Sequence, residues 1–104
     1  IVYFHWGIEF QRYKSEMQEL IAKKAVDFGA DFVVGAHPHV LQEPEVYEGR
    51  YIYYSLGNFI FDKQIPPGTD ETMILQITVG RDGLRDVREI PAVIRKGKVV
   101  REME

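Results

Sequence analysis

Asp31-Phe32-Val33-Val34-Gly35-Ala36-His37-Pro38-His39 is the stretch on which the fold turns. Asp31–Gly35 reads as a short strand, because a brief apolar, β-branched run ending in glycine suits a strand covered on both faces. The segment before it has helical spacing. Met17, Leu20, Ile21, Ala25 and Phe28 fall on one face, and Glu16, Glu19, Lys23, Lys24 and Asp27 mostly on the other. Ser15 with Gln18 three residues later fits a capping box, and Glu19 is correctly placed to pair with Lys23. Gly29 suits the C-terminal cap, so the spacing predicts a helix over Ser15–Phe28. Ile1–Phe4 is a further continuous apolar run, again a buried strand. Strand, helix and strand in that order make a βαβ unit, with parallel strands joined by a right-handed crossover.

Beyond Val40 the pattern changes to hairpins. Glu45–Tyr47 and Tyr51–Ser55 flank the tight turn Glu48-Gly49-Arg50, and Phe59–Phe61 is expected to continue the sheet after Gly57-Asn58. Pro66-Pro67-Gly68 is a loop. Thr72–Val79 and Leu84–Ile90 flank Arg81-Asp82-Gly83, and Ala92–Arg95 and Val99–Arg101 flank Lys96-Gly97-Lys98. One βαβ unit followed by antiparallel hairpins gives an α/β (α+β) fold class. The aromatics Tyr47, Tyr51, Tyr53, Tyr54, Phe59 and Phe61 are expected as cross-strand pairs and core.

A chain of 104 residues suits one small domain or a piece of a larger one. Ile1 already lies in an apparent core strand, which is the expectation for a piece. The formal net charge of −3 provides no basic footprint for nucleic acid or an anionic membrane surface. Cysteine is absent, which excludes disulfides and thiolate metal sites. Any metal must be held by His, Asp, Glu or Asn. No apolar run reaches the length of a membrane-spanning helix.

The histidines carry the functional signal. His5 follows the first strand, and His37 and His39 follow the second. Parallel strands deliver all three to one sheet edge, outside the carboxyl ends where open α/β sheets bind ligands. Neutral imidazole is the commonest metal ligand near neutral pH. If the segment is extended, alternate side chains project to one side and His37 and His39 approach a common centre. The plainer reading is three hydrogen-bonded loop histidines. Glu9 is placed to supply a carboxylate to a metal, a substrate or a histidine, or to be a solvated loop acid. Asn58 is placed to contact a substrate or a metal-bound oxygen, or to support a left-handed turn with Gly57. Trp6 either walls this site or packs on the sheet, and Asp62 reads as structural.

Phe4-His5-Trp6-Gly7-Ile8-Glu9, Val34-Gly35-Ala36-His37-Pro38-His39-Val40 and Tyr54-Ser55-Leu56-Gly57-Asn58-Phe59-Ile60-Phe61-Asp62 together resemble the successive signatures of the CapA family of capsule-synthesis, or poly-gamma-glutamate-synthesis, proteins. The resemblance runs from the start of the chain to about Asp62 and continues more loosely through the last hairpins. It implies the C-terminal portion of a calcineurin-like metallophosphoesterase domain, in which two β-sheets pack between helical layers. It also implies divalent metal ions (Mn, Fe, Zn or Mg), often as a two-metal centre. His5 looks like the family's single late histidine ligand. His37 and His39 look like the pair of its Gly-His-x-His type motif, with Ala36 in place of the glycine.

The family's early ligand motifs have no counterpart here and are expected upstream, in an N-terminal half that would be this chain's first partner. The expectation is that the isolated chain is catalytically poor and self-associates through exposed sheet edges. Other capsule-polymer synthesis proteins are expected partners, nucleic acid is not, and the parent is expected to be membrane-anchored and to face the cell exterior. Three functions follow: a polymer-biosynthesis component, a metal-dependent phosphoesterase or other hydrolase once complete, and a structural piece without metal.

Overall fold

The structure is a computed structural model that describes residues 1–61 and 67–102; Asp62 and Pro66, singled out above, lie outside them. Among the described residues it is mixed α/β, with one helix and mostly strand. In chain order the elements are β1 (Val2–His5), α1 (Glu16–Asp27), β2 (Phe32–Ala36), β3 (Leu41–Gln42), β4 (Glu45–Tyr47), β5 (Arg50–Tyr53), β6 (Ser55–Leu56), β7 (Glu71–Gly80), β8 (Gly83–Arg95) and β9 (Lys98–Arg101).

The βαβ unit is present as expected. β1 and β2 run parallel, with Val2 opposite Val33 and His5 opposite Ala36. The hairpin β4–β5 is also present, but it is not a separate layer. β5 pairs in parallel with β2, which gives a four-stranded sheet in the order β1-β2-β5-β4. Phe32, Val33 and Ile52 are fully buried within it, matching the near-continuous apolar runs of these strands.

Later expectations need correction. Phe59–Phe61 does not extend a sheet; the chain bends there and all three residues are exposed. A short antiparallel pair, β3 with β6, precedes that bend instead. Leu84–Ile90 and Ala92–Arg95 are one 13-residue strand, β8, which runs through Pro91. Pro91 is tolerated because its carbonyl accepts from Glu102 N just past β9, so its missing N–H falls where that ladder ends.

Helix α1 starts at the capping box read from the sequence: Ser15 Oγ accepts from Gln18 N and Gln18 Oε1 accepts from Ser15 N. Ser15→Ala should cost about 1 kcal/mol, read as a lowered midpoint in chemical denaturation. The buried stripe differs from the one expected. Gln18, Ala22 and Val26 face the sheet with Ile21 and Ala25 beside them, whereas Met17, Leu20 and Phe28 are exposed. Small Ala22 permits close approach, and Gln18 is buried because Gln42 satisfies it: Gln18 Nε2 donates to Gln42 Oε1 at 2.8 Å. Gln42 in turn donates to the carbonyls of Gln11 and Tyr13, fixing the loop that leads into the helix.

Trp6 belongs to the core. Its indole stacks on Phe4, with centroids 4.7 Å apart, and its Nε1 donates to Tyr54 O at 2.8 Å. Tyr54 is fully buried, and its hydroxyl donates to Glu45 Oε1 at 2.7 Å. Lys14 donates to the same oxygen at 2.9 Å, and that bond holds the Glu45 carboxyl below the usual range. Burial and, next, the bond to Glu45 push the Tyr54 hydroxyl well above the ordinary tyrosine value. Burial and, next, Glu89 do the same for Tyr53. Folding therefore favours the neutral phenols. Their stabilisation is complete below about pH 10 and is lost as pH rises beyond it, because only the unfolded chain then releases these protons. Thermal scans should show a midpoint that falls above that pH, less steeply in Tyr54→Phe.

A candidate metal centre at the strand ends

Because His5 lies opposite Ala36, β1 and β2 end level with each other. Trp6 N donates to Ala36 O at 3.1 Å and keeps the two exits together. Phe10 N then donates to Pro38 O at 2.7 Å, which folds the loop after β1 back over the loop after β2. That bond brings Glu9 beside His37.

The His37-Pro38-His39 backbone is not extended as expected. His37 has φ 103° and His39 φ 65°, and Phe10 opposite them has φ 66°. Such values are unusual for residues with a Cβ, cost about 1–3 kcal/mol each and cluster at functional sites. The two imidazoles therefore converge by a different route, through left-handed turns, with ring centroids 5.7 Å apart.

The ligand-type atoms of Glu9, His37 and His39 all lie within 4.8 Å of one another. Glu9 Oε1 stands 3.9 Å from His37 Nε2, too far for a hydrogen bond. Two atoms each bound at about 2.0–2.2 Å to one ion would be roughly 3–4 Å apart, so this separation suits a shared ion. His5 joins the cluster through its ring, 4.5 Å from that of His37. Both His37 and His39 are half-buried, while Glu9 and His5 are exposed. The site is thus reachable from solvent and rigid at its base.

Asn58 sits behind His39, buried, with Oδ1 2.7 Å from His39 Nδ1. Gly57, at φ 77°, makes the left-handed turn before it. Phe10 and Phe61 flank the His39 ring at centroid distances of 5.7 and 5.8 Å. These two phenylalanines escaped sequence reading. Phe10 reaches the site only through its positive φ, and Phe61 looked like one more cross-strand aromatic. The core reading holds for Tyr53 and Tyr54, both buried, and Tyr47 packs on the core; it fails for Phe59 and Phe61.

Residues 1–63 match the family described as bacterial capsule synthesis protein PGA_cap. The chain belongs to that family. Every residue of the histidine–glutamate–asparagine cluster falls inside the matched stretch. Among curated relatives, the capsule biosynthesis protein CapA of Bacillus anthracis is 42% identical over 97 residues, covering 93% of this chain and 23% of the relative. The PGA biosynthesis protein CapA of Bacillus subtilis strain 168 is 49% identical over 63 residues, covering 61% of this chain and 17% of the relative. An uncharacterised Sinorhizobium fredii protein, y4sH, is 44% identical over 57 residues. The matched stretch of this PGA_cap member spans less than a quarter of the length of either CapA relative.

Proposed function

We propose that this chain serves the biosynthesis of a capsule or poly-gamma-glutamate polymer and contributes a divalent-metal site to that task. The observation that carries the metal part is the convergence of Glu9, His37 and His39 donor atoms within 4.8 Å on a backbone strained at both histidines. Two imidazoles and a carboxylate are a donor set that Zn²⁺ accepts, and Mn²⁺ or Fe²⁺ fit the same nitrogen and oxygen chemistry. A bound ion would supply Lewis-acid polarisation of a phosphoryl or carbonyl oxygen. The chain's own residues hold the geometry: Phe10 and Pro38 lock the loops together, Glu9 provides negative charge beside His37, and Phe10 and Phe61 shield the His39 ring.

A hydrolase role of metallophosphoesterase type is the second reading. It is favoured by His5, whose ring lies against His37 and adds a third imidazole, enough donors to begin an adjoining ion site. Both readings place the chain within a longer polypeptide, as in its relatives, working beside other polymer-synthesis proteins at the outer face of a membrane.

A chimera tests the role. The matched segment of the Bacillus subtilis CapA is replaced by residues 1–63 and introduced into a strain lacking that protein. Restored polymer with the native segment and none with His37→Ala/His39→Ala supports a metal-dependent biosynthetic role. Polymer restored equally by both would remove the metal from the account and leave the biosynthetic role.

A further inference from the structure

We infer that Asn58 is a positioning residue that fixes the tautomer of His39, so that Nε2 is the ring nitrogen presented to a metal. The inference builds on the metal-site reading above but is tested apart from it. Asn58 Nδ2 donates to Thr69 O at 3.4 Å, and a carbonyl can only accept. This sets the orientation of the amide and turns Oδ1 towards His39, at 2.7 Å from Nδ1. An amide oxygen also only accepts, so the proton of the neutral imidazole resides on Nδ1. The lone pair is left on Nε2.

The surroundings hold this arrangement. Asn58 is 8% exposed and Thr69 1%. Gly57 cannot carry a side chain, because a Cβ there would meet the carbonyl oxygen of Glu71. The turn is thus pressed against β7, and Asn58 has little freedom to swing away. Metal-bound histidines commonly donate their other ring N–H to an oxygen that orients the ring, and loss of that partner typically costs about 10–100-fold in metal affinity. Asn58 acts on His39 rather than on a reacting group.

The test uses the whole chain, with two readouts on wild type, Asn58→Ala and Asn58→Asp, each confirmed as folded by its amide fingerprint. Long-range ¹⁵N–¹H spectra of the metal-free proteins, recorded at alkaline pH, report the His39 tautomer. Calorimetric titration with Zn²⁺ reports affinity. Wild type should show His39 protonated at Nδ1. Asn58→Ala should show a tautomer mixture and about 10–100-fold weaker Zn²⁺ binding. Asn58→Asp keeps the acceptor and loses the donor to Thr69 O, so it should retain the wild-type tautomer. If the link to Thr69 were what mattered, aspartate would behave like alanine, and the inference would be overturned. It is also overturned if Asn58→Ala keeps the Nδ1–H tautomer. A wild type that takes up no Zn²⁺, yet shows the tautomer following the acceptor through the three proteins, would sink the metal reading and support this role for Asn58.

Discussion

Gly35→Ala should destabilise the chain by about 2–6 kcal/mol, the sum of overpacking a core and breaking a buried hydrogen bond. Gly35 lies in the middle of the buried sheet, and its φ is not unusual. The reason for glycine is steric. A Cβ would collide with Trp6 Nε1 and Tyr54 O, the two atoms joined by the 2.8 Å hydrogen bond across β2. Neither can give way easily: one is backbone at the buried residue between β5 and β6, and the other belongs to an indole stacked on Phe4 and Tyr54. Either the hydrogen bond opens or β1 and its loop move, and these carry His5 and Glu9. Urea denaturation should show a midpoint far below wild type, or a chain unfolded in buffer. Trp6→Phe removes the indole nitrogen, so the double variant should lose less than the two single losses combined. Simple additivity would mean that the clash is relieved elsewhere.

The second large effect separates stability from binding. His37→Gly should lower divalent-metal affinity at least about 100-fold, as removal of a direct ligand must exceed the 10–100-fold cost of losing only its supporting partner. Its stability should nonetheless exceed that of His37→Ala by about 1 kcal/mol, since at φ 103° alanine keeps the strain that glycine relieves. Calorimetry and chemical denaturation on the same samples read both quantities. Equal stability of the two variants would mean that the backbone at His37 is not strained.

Much of this was legible from local pattern. The βαβ unit could be read because runs such as Phe32–Val34, the Ser15–Gln18 box and the glycine after the helix are local signals, each with one physical meaning. Parallel pairing then brought the three histidines to one edge, since connectivity leaves the two strands no other sense. What was not legible is non-local. The helix turned its small Ala22 stripe inward because Gln42, 24 residues from Gln18, satisfies that buried amide. Likewise, β5 joined β2 rather than standing in a hairpin layer of its own, a choice made by the packing of Ile52 and Tyr54. At the site, Glu9 could have been solvated or a ligand on sequence grounds. Its place beside His37 follows from the Phe10–Pro38 hydrogen bond and from positive φ values that no residue type here advertises.

The account rests on the claim that the ends of β1 and β2 form a metal site. Plasma mass spectrometry on the purified chain, alongside His37→Ala/His39→Ala prepared identically, tests it most directly. The account predicts a divalent metal that copurifies with the native chain and is lost from the double variant. Metal retained equally by both proteins, or absent from both even after incubation with Zn²⁺ and Mn²⁺, would contradict it.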